Sequence, residues 1–293
     1  MNTPHQPGAG VPIVIIGATS GAGRAIHARL GDGGVVGVAR QGRADVIVAD
    51  YLAVRPDIIA EGAVIVNCVG TPTGDAATLD DVNRKVAVAW AAAARAAGAA
   101  HFIQLSSFSV YGRAQHVNAQ TPVLPETAYG RSKLDAEQKL AALQTADFGV
   151  SLLRIPILVG GDRSDKLAQL LRLIVRLRIV PLVRPPVARA MLSYDGLAAT
   201  ICHLVQTRQR GVVVAADPEM FSYDLVARQA REAGLHLLHM PLPRVLSLPL
   251  GWVAPALHDR LFASMSVDGA VNIATGALPF RRLSDIISER LAG

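Results

Sequence analysis

An apolar run, Ile13-Val14-Ile15-Ile16, leads directly into Gly17-Ala18-Thr19-Ser20-Gly21-Ala22-Gly23 and then into a helical pattern from Arg24 onward. An unbroken Val/Ile run of this length marks a strand buried on both faces, as in a parallel sheet. The glycines fall at i, i+4 and i+6. They remove side chains where the chain turns sharply, where backbone approaches a ligand, and where a helix packs closely on the strand. A helix beginning there aims free N–H groups and the positive end of its dipole at whatever lies over the strand. The turn therefore predicts a cradle for a dinucleotide pyrophosphate, with Gly17, Thr19, Ser20, Gly21, Ala22 and Gly23 as its contacts.

The same alternation continues down the chain. Strand-like runs fall at 12–16, 34–39, 45–49, 63–69, 101–106, 150–155 and 211–215, and helical patterns at 21–31, 52–60, 78–98, 127–147, 164–179, 194–207 and 222–233. Short buried strands separated by helices imply an α/β fold, a Rossmann-type doubly wound parallel sheet. Hydrophobic residues make up 51% of the 293 and aromatics only 4%, so the core is expected to be aliphatic. After Pro181 the pattern is broken by Pro185, Pro186, Pro241, Pro243, Pro249 and Pro255. This suggests a dinucleotide-binding domain of residues 1–155 plus 193–217. A smaller C-terminal substrate-binding lobe would be formed by 156–192 plus 218–293.

The ends of the strands name further cofactor contacts. The second strand, GVVGVAR, ends at Arg40, with Arg43 behind it and no acid before Asp45. An acid there would accept hydrogen bonds from the ribose hydroxyls of NAD, whereas an arginine pairs with the 2′-phosphate of NADP. NADP is therefore the expected cofactor, with NAD as the second choice. Asp50 and Tyr51 after the third strand, Val69 and Gly70 after the fourth, and Ile155 ending the sixth are expected to line it.

About ninety residues beyond the glycine turn comes HFIQLSSFSVYGR, followed by Tyr129-Gly130-Arg131-Ser132-Lys133. Tyr129 and Lys133 are i, i+4 and share one helix face. A tyrosine with its ordinary pKa of about 10 is a poor base at neutral pH, and a neighbouring lysine makes the phenolate easier to form. Ser107, just past the fifth strand, places a hydroxyl where such sheets carry ligands. Ser107, Tyr129 and Lys133 are thus the expected catalytic set for proton transfer coupled to hydride transfer.

With these motifs the sequence resembles the extended short-chain dehydrogenase/reductases, specifically the NAD-dependent epimerase/dehydratase family acting on nucleotide sugars. The matching pieces are IGATSGAG, VADYL, IVNCVG, Val82-Asn83, QLSSFSVYG, YGRSK, LLRIPILVG, SYDGLAATI and VVVAADPEMFSYDLV. The family pattern places the active hydroxyl three residues before VYG, at Ser107. The glycine spacing, Arg40 and Ile157 depart from a strict galactose epimerase. Phe108-Ser109 stands where a dehydratase carries Asp-Glu, which argues against water elimination. In resembling enzymes an arginine shortly before the SYDGLA-like stretch binds the substrate pyrophosphate; Arg189 is the nearest match and Arg184 the reserve.

Seven cations (Arg163, Lys166, Arg172, Arg176, Arg178, Arg184 and Arg189) face one acid, Asp165, within 163–189, and this segment carries the whole net charge of +6. So local a patch suits an anionic small ligand or surface better than a nucleic acid. Leu167, Leu170, Leu171, Ile174 and Leu177 form the apolar stripe of an amphipathic helix there. Its cations read as a solvated face over that stripe, with a membrane surface as the competing reading. Cys68 and Cys202 have neither disulfide nor metal spacing, the histidines form no ligand pattern, and no metal is expected. No uncharged run reaches the ~18 residues of a bilayer span.

The expectation is a cytoplasmic NAD(P)-dependent oxidoreductase or epimerase acting on a nucleotide-linked keto sugar, a 4-keto-sugar reductase or 4-epimerase. The alternatives are an NADP-dependent reductase of a non-sugar carbonyl and a non-catalytic NADP sensor. The resemblance also implies a homodimer.

Overall fold

The computed structural model describes residues 10–40, 46–48, 53–161, 165–243, 263–273 and 281–292. The first half runs β1 (Ile13–Ile16), α1 (Gly21–Leu30), β2 (Val35–Ala39), β3 (Val46–Val48), β4 (Val64–Asn67), α2 (Ala76–Asp80), α3 (Val86–Ala96) and β5 (His101–Ser107). Then come β6 (His116–Val117), α4 (Ala128–Ala141), β7 (Gly149–Ile155), β8 (Ile157–Val159), α5 (Lys166–Leu177) and β9 (Ile179–Arg184). The remainder is β10 (Met191–Ser193), α6 (Tyr194–Thr207), β11 (Gly211–Val214), α7 (Tyr223–Glu232), β12 (Leu238–Pro243), β13 (Ser266–Val267) and α8 (Leu283–Ala292).

These elements form two compact units. The first comprises the described residues up to Arg113, with Pro122–Pro156 and Leu197–Ala215. Its sheet has seven strands in the order β3-β2-β1-β4-β5-β7-β11, and every pair is parallel. The chain works outward from β1 to β3, then returns to lay β4 on the other side of β1. That reversal opens a crevice at the carboxyl ends of β1 and β4, the place where such sheets hold ligands.

Sheet burial follows from composition. All four residues of β1 and all four of β4 are buried. On α3, alanines let the helix lie close, and Ala87, Ala91, Ala94 and the fully buried Trp90 pack into the core with Phe102 and Leu140. Between α2 and α3 the residues Asp81–Lys85 form a π-turn, which swings Asn83 inward to complete burial. No local sequence signal predicts that turn.

Helix α4 is fastened to the sheet by charge. The Arg154 guanidinium of β7 forks onto Glu137, with Nε to Oε1 at 3.0 Å and Nη2 to Oε2 at 2.6 Å. The Ser106 hydroxyl of β5 donates to the same carboxylate, and Ser106 and Arg154 are direct partners in the sheet register. The guanidinium also lies 4.9 Å from the centroid of the Tyr111 ring, a cation–π contact.

The helix expected at 52–60 is instead a 3-10 turn, Pro56–Ile58, while residue 52 lies outside the described set. Pro56 disfavours helical geometry at Arg55, and Ala60-Glu61-Gly62 turn the chain into β4. Strand β4 stops at Asn67 rather than continuing to 69, because the Asn67 side chain accepts the Val69 N–H at 3.0 Å and bends the chain outward. Helix α4 ends at Ala141 rather than 147. Thr145 and Phe148 close a turn there, backbone to backbone at 2.9 Å and through the Thr145 hydroxyl at 3.1 Å.

The second unit comprises Ala114–Thr121, Ile157–Gly196 and the described residues from Ala216. Residues 114–121 belong to it because β6 pairs with β13, a long-range pairing without a sequence signature. Parallel pairs β8–β10 and β9–β12 are covered by α5, α7 and α8, whose Leu171, Ile174, Val226, Ile286 and Ile287 build the core. The Asp165 side chain caps α5 by accepting the Ala168 N–H at 2.7 Å, and the helix ends at Arg178 in left-handed geometry, φ 55. Leu167, Leu171 and Ile174 form the buried stripe, but Leu177, expected in it, is 57% exposed. The helix terminates there and turns Leu177 away from the core.

Replacing Glu137 by Ala leaves Arg154 buried without its counter-charge and should cost about 3–5 kcal/mol. Denaturant unfolding measures this, and the double variant with Arg154→Met should recover much of the loss.

Candidate active site

The glycine turn lies over the carboxyl ends of β1 and β4. Gly17, at φ 82, sits so close to the loop after β4 that an added Cβ would lie 3.1 Å from Val69 Cγ2 and 3.2 Å from the Val69 nitrogen. A Cβ on Gly23 would lie 2.3 Å from the Gly17 carbonyl oxygen. Both positions therefore exclude side chains for different reasons, backbone geometry at one and helix–turn contact at the other. The Ser20 hydroxyl caps α1 by accepting the Gly23 N–H at 3.0 Å. No acid occupies the first turn of α1, so its N–H groups and dipole present uncompensated positive potential. Thr19, Gly21 and Ala22 are part-exposed around it. The turn fits an anionic pyrophosphate by both shape and charge.

At the same sheet edge, Ser107 ends β5 opposite Ile155, the last residue of β7. Ser107 Oγ accepts the Ser109 N–H at 3.2 Å and donates to Ser109 Oγ at 3.1 Å. Its neighbour Ser106 is turned to Glu137, which separates the two serines by role. Tyr129 stands in the first turn of α4, whose N-cap Thr127 accepts the Gly130 N–H at 2.9 Å. Burial pushes the Tyr129 phenol above its ordinary value, and a hydrogen bond with Ser107 pulls it back in part.

Lys133, one helical turn on, is 4% exposed, and its Nζ donates to the Leu105 carbonyl at 3.1 Å. Burial brings its amine down to about 8, opposed by the negative field of Glu137. Burial pushes the Cys68 thiol up to about 12, so it is a neutral neighbour at physiological pH. Gly70 makes room for this arrangement, because a Cβ there would lie 2.8 Å from Lys133 Nζ.

Asn83 ties the parts together. Its side chain accepts the Thr71 N–H at 2.9 Å, donates to the Thr71 carbonyl at 3.0 Å, and donates to Ser132 Oγ at 2.9 Å. The loop after β4 is thereby held against the helix bearing Tyr129 and Lys133. Asn83, Glu137 and Arg154 had no role assigned from the sequence. The one local signal was that Glu137 continues the Tyr129, Lys133 spacing by another four residues.

The first unit thus brings Ser107, Tyr129, Lys133, Val69, Gly70 and Ile155 to the sheet edge that carries the glycine turn. Arg40 is exposed immediately after β2, whereas Asp50 and Tyr51 lie outside the described residues. Arg189 and Arg184 belong to the second unit. Arg189 bridges Phe221 and Met265 by backbone pairing, and its Nη2 donates to the Ala263 carbonyl at 2.8 Å. Arg184 forks onto Asp224 at 2.8 and 2.9 Å. Among the described residues, no group of three or more His, Cys, Asp or Glu side chains is placed to hold a metal. None of the described helices is long and apolar enough to cross a membrane.

The sequence pattern of the NAD dependent epimerase/dehydratase family matches residues 13–178, more than half of the chain. No protein of curated function matches it in sequence. Among solved structures, a UDP-glucuronic acid 4-epimerase from Bacillus cereus in complex with NAD superposes with TM-score 0.72 at 16% identity, covering 96% of each chain. A UDP-Glc/GlcNAc 4-epimerase from Campylobacter jejuni gives TM-score 0.73 at 14% identity, over 96% of this chain and 98% of the other. A dTDP-4-dehydrorhamnose reductase from Yersinia enterocolitica gives 0.69 at 18%, over 96% and 99%. At such identities the likeness is one of fold.

Because the folded Lys133 binds its proton less tightly than the unfolded one, stability should rise with pH between about 8 and the ordinary lysine value of 10.5. It should be lost again as pH falls through the folded value. Lys133→Met should flatten this rise in unfolding curves recorded across that window.

Proposed function

The chain belongs to the NAD dependent epimerase/dehydratase family, and on that premise we propose that it moves hydride to or from a nucleotide-linked keto sugar, as a 4-keto-sugar reductase or a 4-epimerase. The observation that carries this reading is the placement of Ser107 at the end of β5, with Tyr129 and buried Lys133 one turn apart on α4, at the sheet edge bearing the glycine turn. Gly17 to Gly23 would hold a nicotinamide dinucleotide at its pyrophosphate, and that group would supply or accept the hydride.

The protein's own groups manage the proton. In reduction, the carbonyl oxygen gains the phenolic proton of Tyr129 as the carbonyl carbon gains hydride; in oxidation, Tyr129 takes that proton back. Ser107 donates a hydrogen bond to the same oxygen and stabilises charge developing there. Lys133, cationic below about pH 8 and one helical turn from Tyr129, would hold the ribose hydroxyls of such a cofactor. Glu137 and Arg154 keep α4, and with it Tyr129 and Lys133, seated on the sheet.

Exposed Arg40 at the end of β2 supports NADP, with NAD second. Arg189 and Arg184 are the proposed contacts for the substrate's pyrophosphate. Their present partners, a carbonyl at Ala263 and the carboxylate of Asp224, would be exchanged for phosphate oxygens.

Tyr129→Phe should lower turnover on nucleotide sugars by about 10²–10⁴-fold and leave cofactor affinity unchanged. Full turnover in that variant would sink the reading. Nucleotide released on denaturing fresh protein separates the two activities. Stoichiometric NAD marks a retained cofactor and an epimerase; empty protein preferring NADPH marks a reductase. Turnover of simple carbonyls alone, or of nothing despite tight cofactor binding, would favour the non-sugar reductase or the sensor.

A further inference from the structure

Seven large apolar side chains stand out as exposed among the described residues, and four of them belong to two neighbouring elements of the second unit. Leu173 and Leu177 of α5 are 50% and 57% exposed, and Leu238 and Met240 of β12 are 65% and 41% exposed. Scattered single apolar residues are ordinary on a protein surface, but a group of four is not. The two elements meet where α5 ends. The Leu238 N–H donates to the Arg178 carbonyl at 2.8 Å, and β12 then runs parallel to β9 from Ile179 onward. Leu238 and Met240, two residues apart on one strand, share a face.

Cations flank these side chains. Lys166, Arg172, Arg176 and Arg178 are all exposed, and no carboxylate among the described residues pairs with any of them. Of the acids in the unit, Asp165 caps α5 and Asp224 pairs with Arg184. Helix α5 therefore carries two edges: one of Leu167, Leu171 and Ile174 holds the core, and the other offers leucines beside unpaired arginines to solvent.

We propose that this face of α5, continued by the start of β12, is a docking surface for an anionic lipid bilayer. The leucines and Met240 would enter the interface between headgroups and acyl chains, while the arginines and Lys166 remain at headgroup level beside the lipid phosphates. Charge complementarity decides for this occupant over a second copy of the chain. A two-fold contact would set this patch against itself and bring up to eight like charges together. A nucleic acid would use the cations but leave four apolar side chains in water.

The test is cosedimentation of the full chain with vesicles of phosphatidylcholine alone and of phosphatidylcholine mixed with phosphatidylglycerol. Binding is expected to the mixed vesicles only, and to weaken with salt. Arg172→Ala with Arg176→Ala should reduce partitioning about 30-fold, on the basis of about 1 kcal/mol per basic residue near an anionic surface, tenfold per 1.4 kcal/mol. Leu173→Asp with Leu177→Asp should reduce it on the order of tenfold or more. Both pairs are exposed, so melting temperatures should hold, and the arginine pair tests the surface even if the aspartates disturb α5. No binding to mixed vesicles overturns the proposal. Binding unchanged by the leucine substitutions reduces it to nonspecific adsorption of a basic protein and overturns it as well. A concentration-dependent dimer in light scattering, abolished by Leu173→Asp, would assign the face to a second copy instead.

Discussion

A carboxylate shared by two strands holds the candidate active site in place. Glu137 projects from α4 and receives both the guanidinium fork of Arg154 on β7 and the hydroxyl of Ser106 on β5. The pair is almost fully buried, with side chains 9% and 3% exposed, where a lone charge would be strongly disfavoured. Neither partner can leave without stranding the other. Helix α4 is consequently locked in both rotation and height against the sheet, and Lys133 and Tyr129, one and two turns before Glu137, inherit that placement.

The electrostatics of the site follow from the same contact. Lys133 is buried and its amine is driven toward neutrality, yet Glu137 supplies an opposing negative field. The balance leaves a cation that is close to releasing its proton, one helical turn from a tyrosine that burial makes reluctant to ionise. Separations of this kind between neighbouring titratable groups are what proton-transfer chemistry requires. Asn83, brought inward by the π-turn, adds the last constraint by tying the loop after β4 to Ser132. Rigidity at the sheet edge thus comes from polar contacts among residues far apart in the chain, laid over an apolar core that fixes only the sheet itself.

The second unit is organised differently. Its core is a short helical stripe against two-stranded sheets, and the exposed half of α5 carries Leu173 and Leu177 beside Lys166, Arg172 and Arg176. The strong amphipathic pattern of that helix was plain in the sequence, but periodicity reports only which residues share a face. Leu177 falls at a core-like spacing and is nonetheless exposed, because the helix stops at Arg178 and nothing among the described residues reaches over it. Residues 114–121 mislead in another way. They sit between two elements of the sheet unit, yet β6 pairs with β13 about a hundred and fifty residues on.

Local physics was enough for much of this protein. Short Val/Ile runs bounded by turn residues read as strands covered on both faces, the glycines of 17–23 read as a close turn, and Tyr129 with Lys133 share a face once the segment is helical. Those properties depend on neighbours within a few residues, so the sequence by itself determined them. The 3-10 turn found in place of the helix expected at 52–60 belongs to the same class, since Pro56 is itself a local signal against a helix there. What only the tertiary structure decided was which side chains would be deprived of water and by whom. Lys133 is buried because Gly70 has no side chain and the Leu105 carbonyl is in reach, and Glu137 is stable inside because Arg154 arrives from another strand. Burial and pairing depend on residues distant in the chain, and no periodicity carries that information.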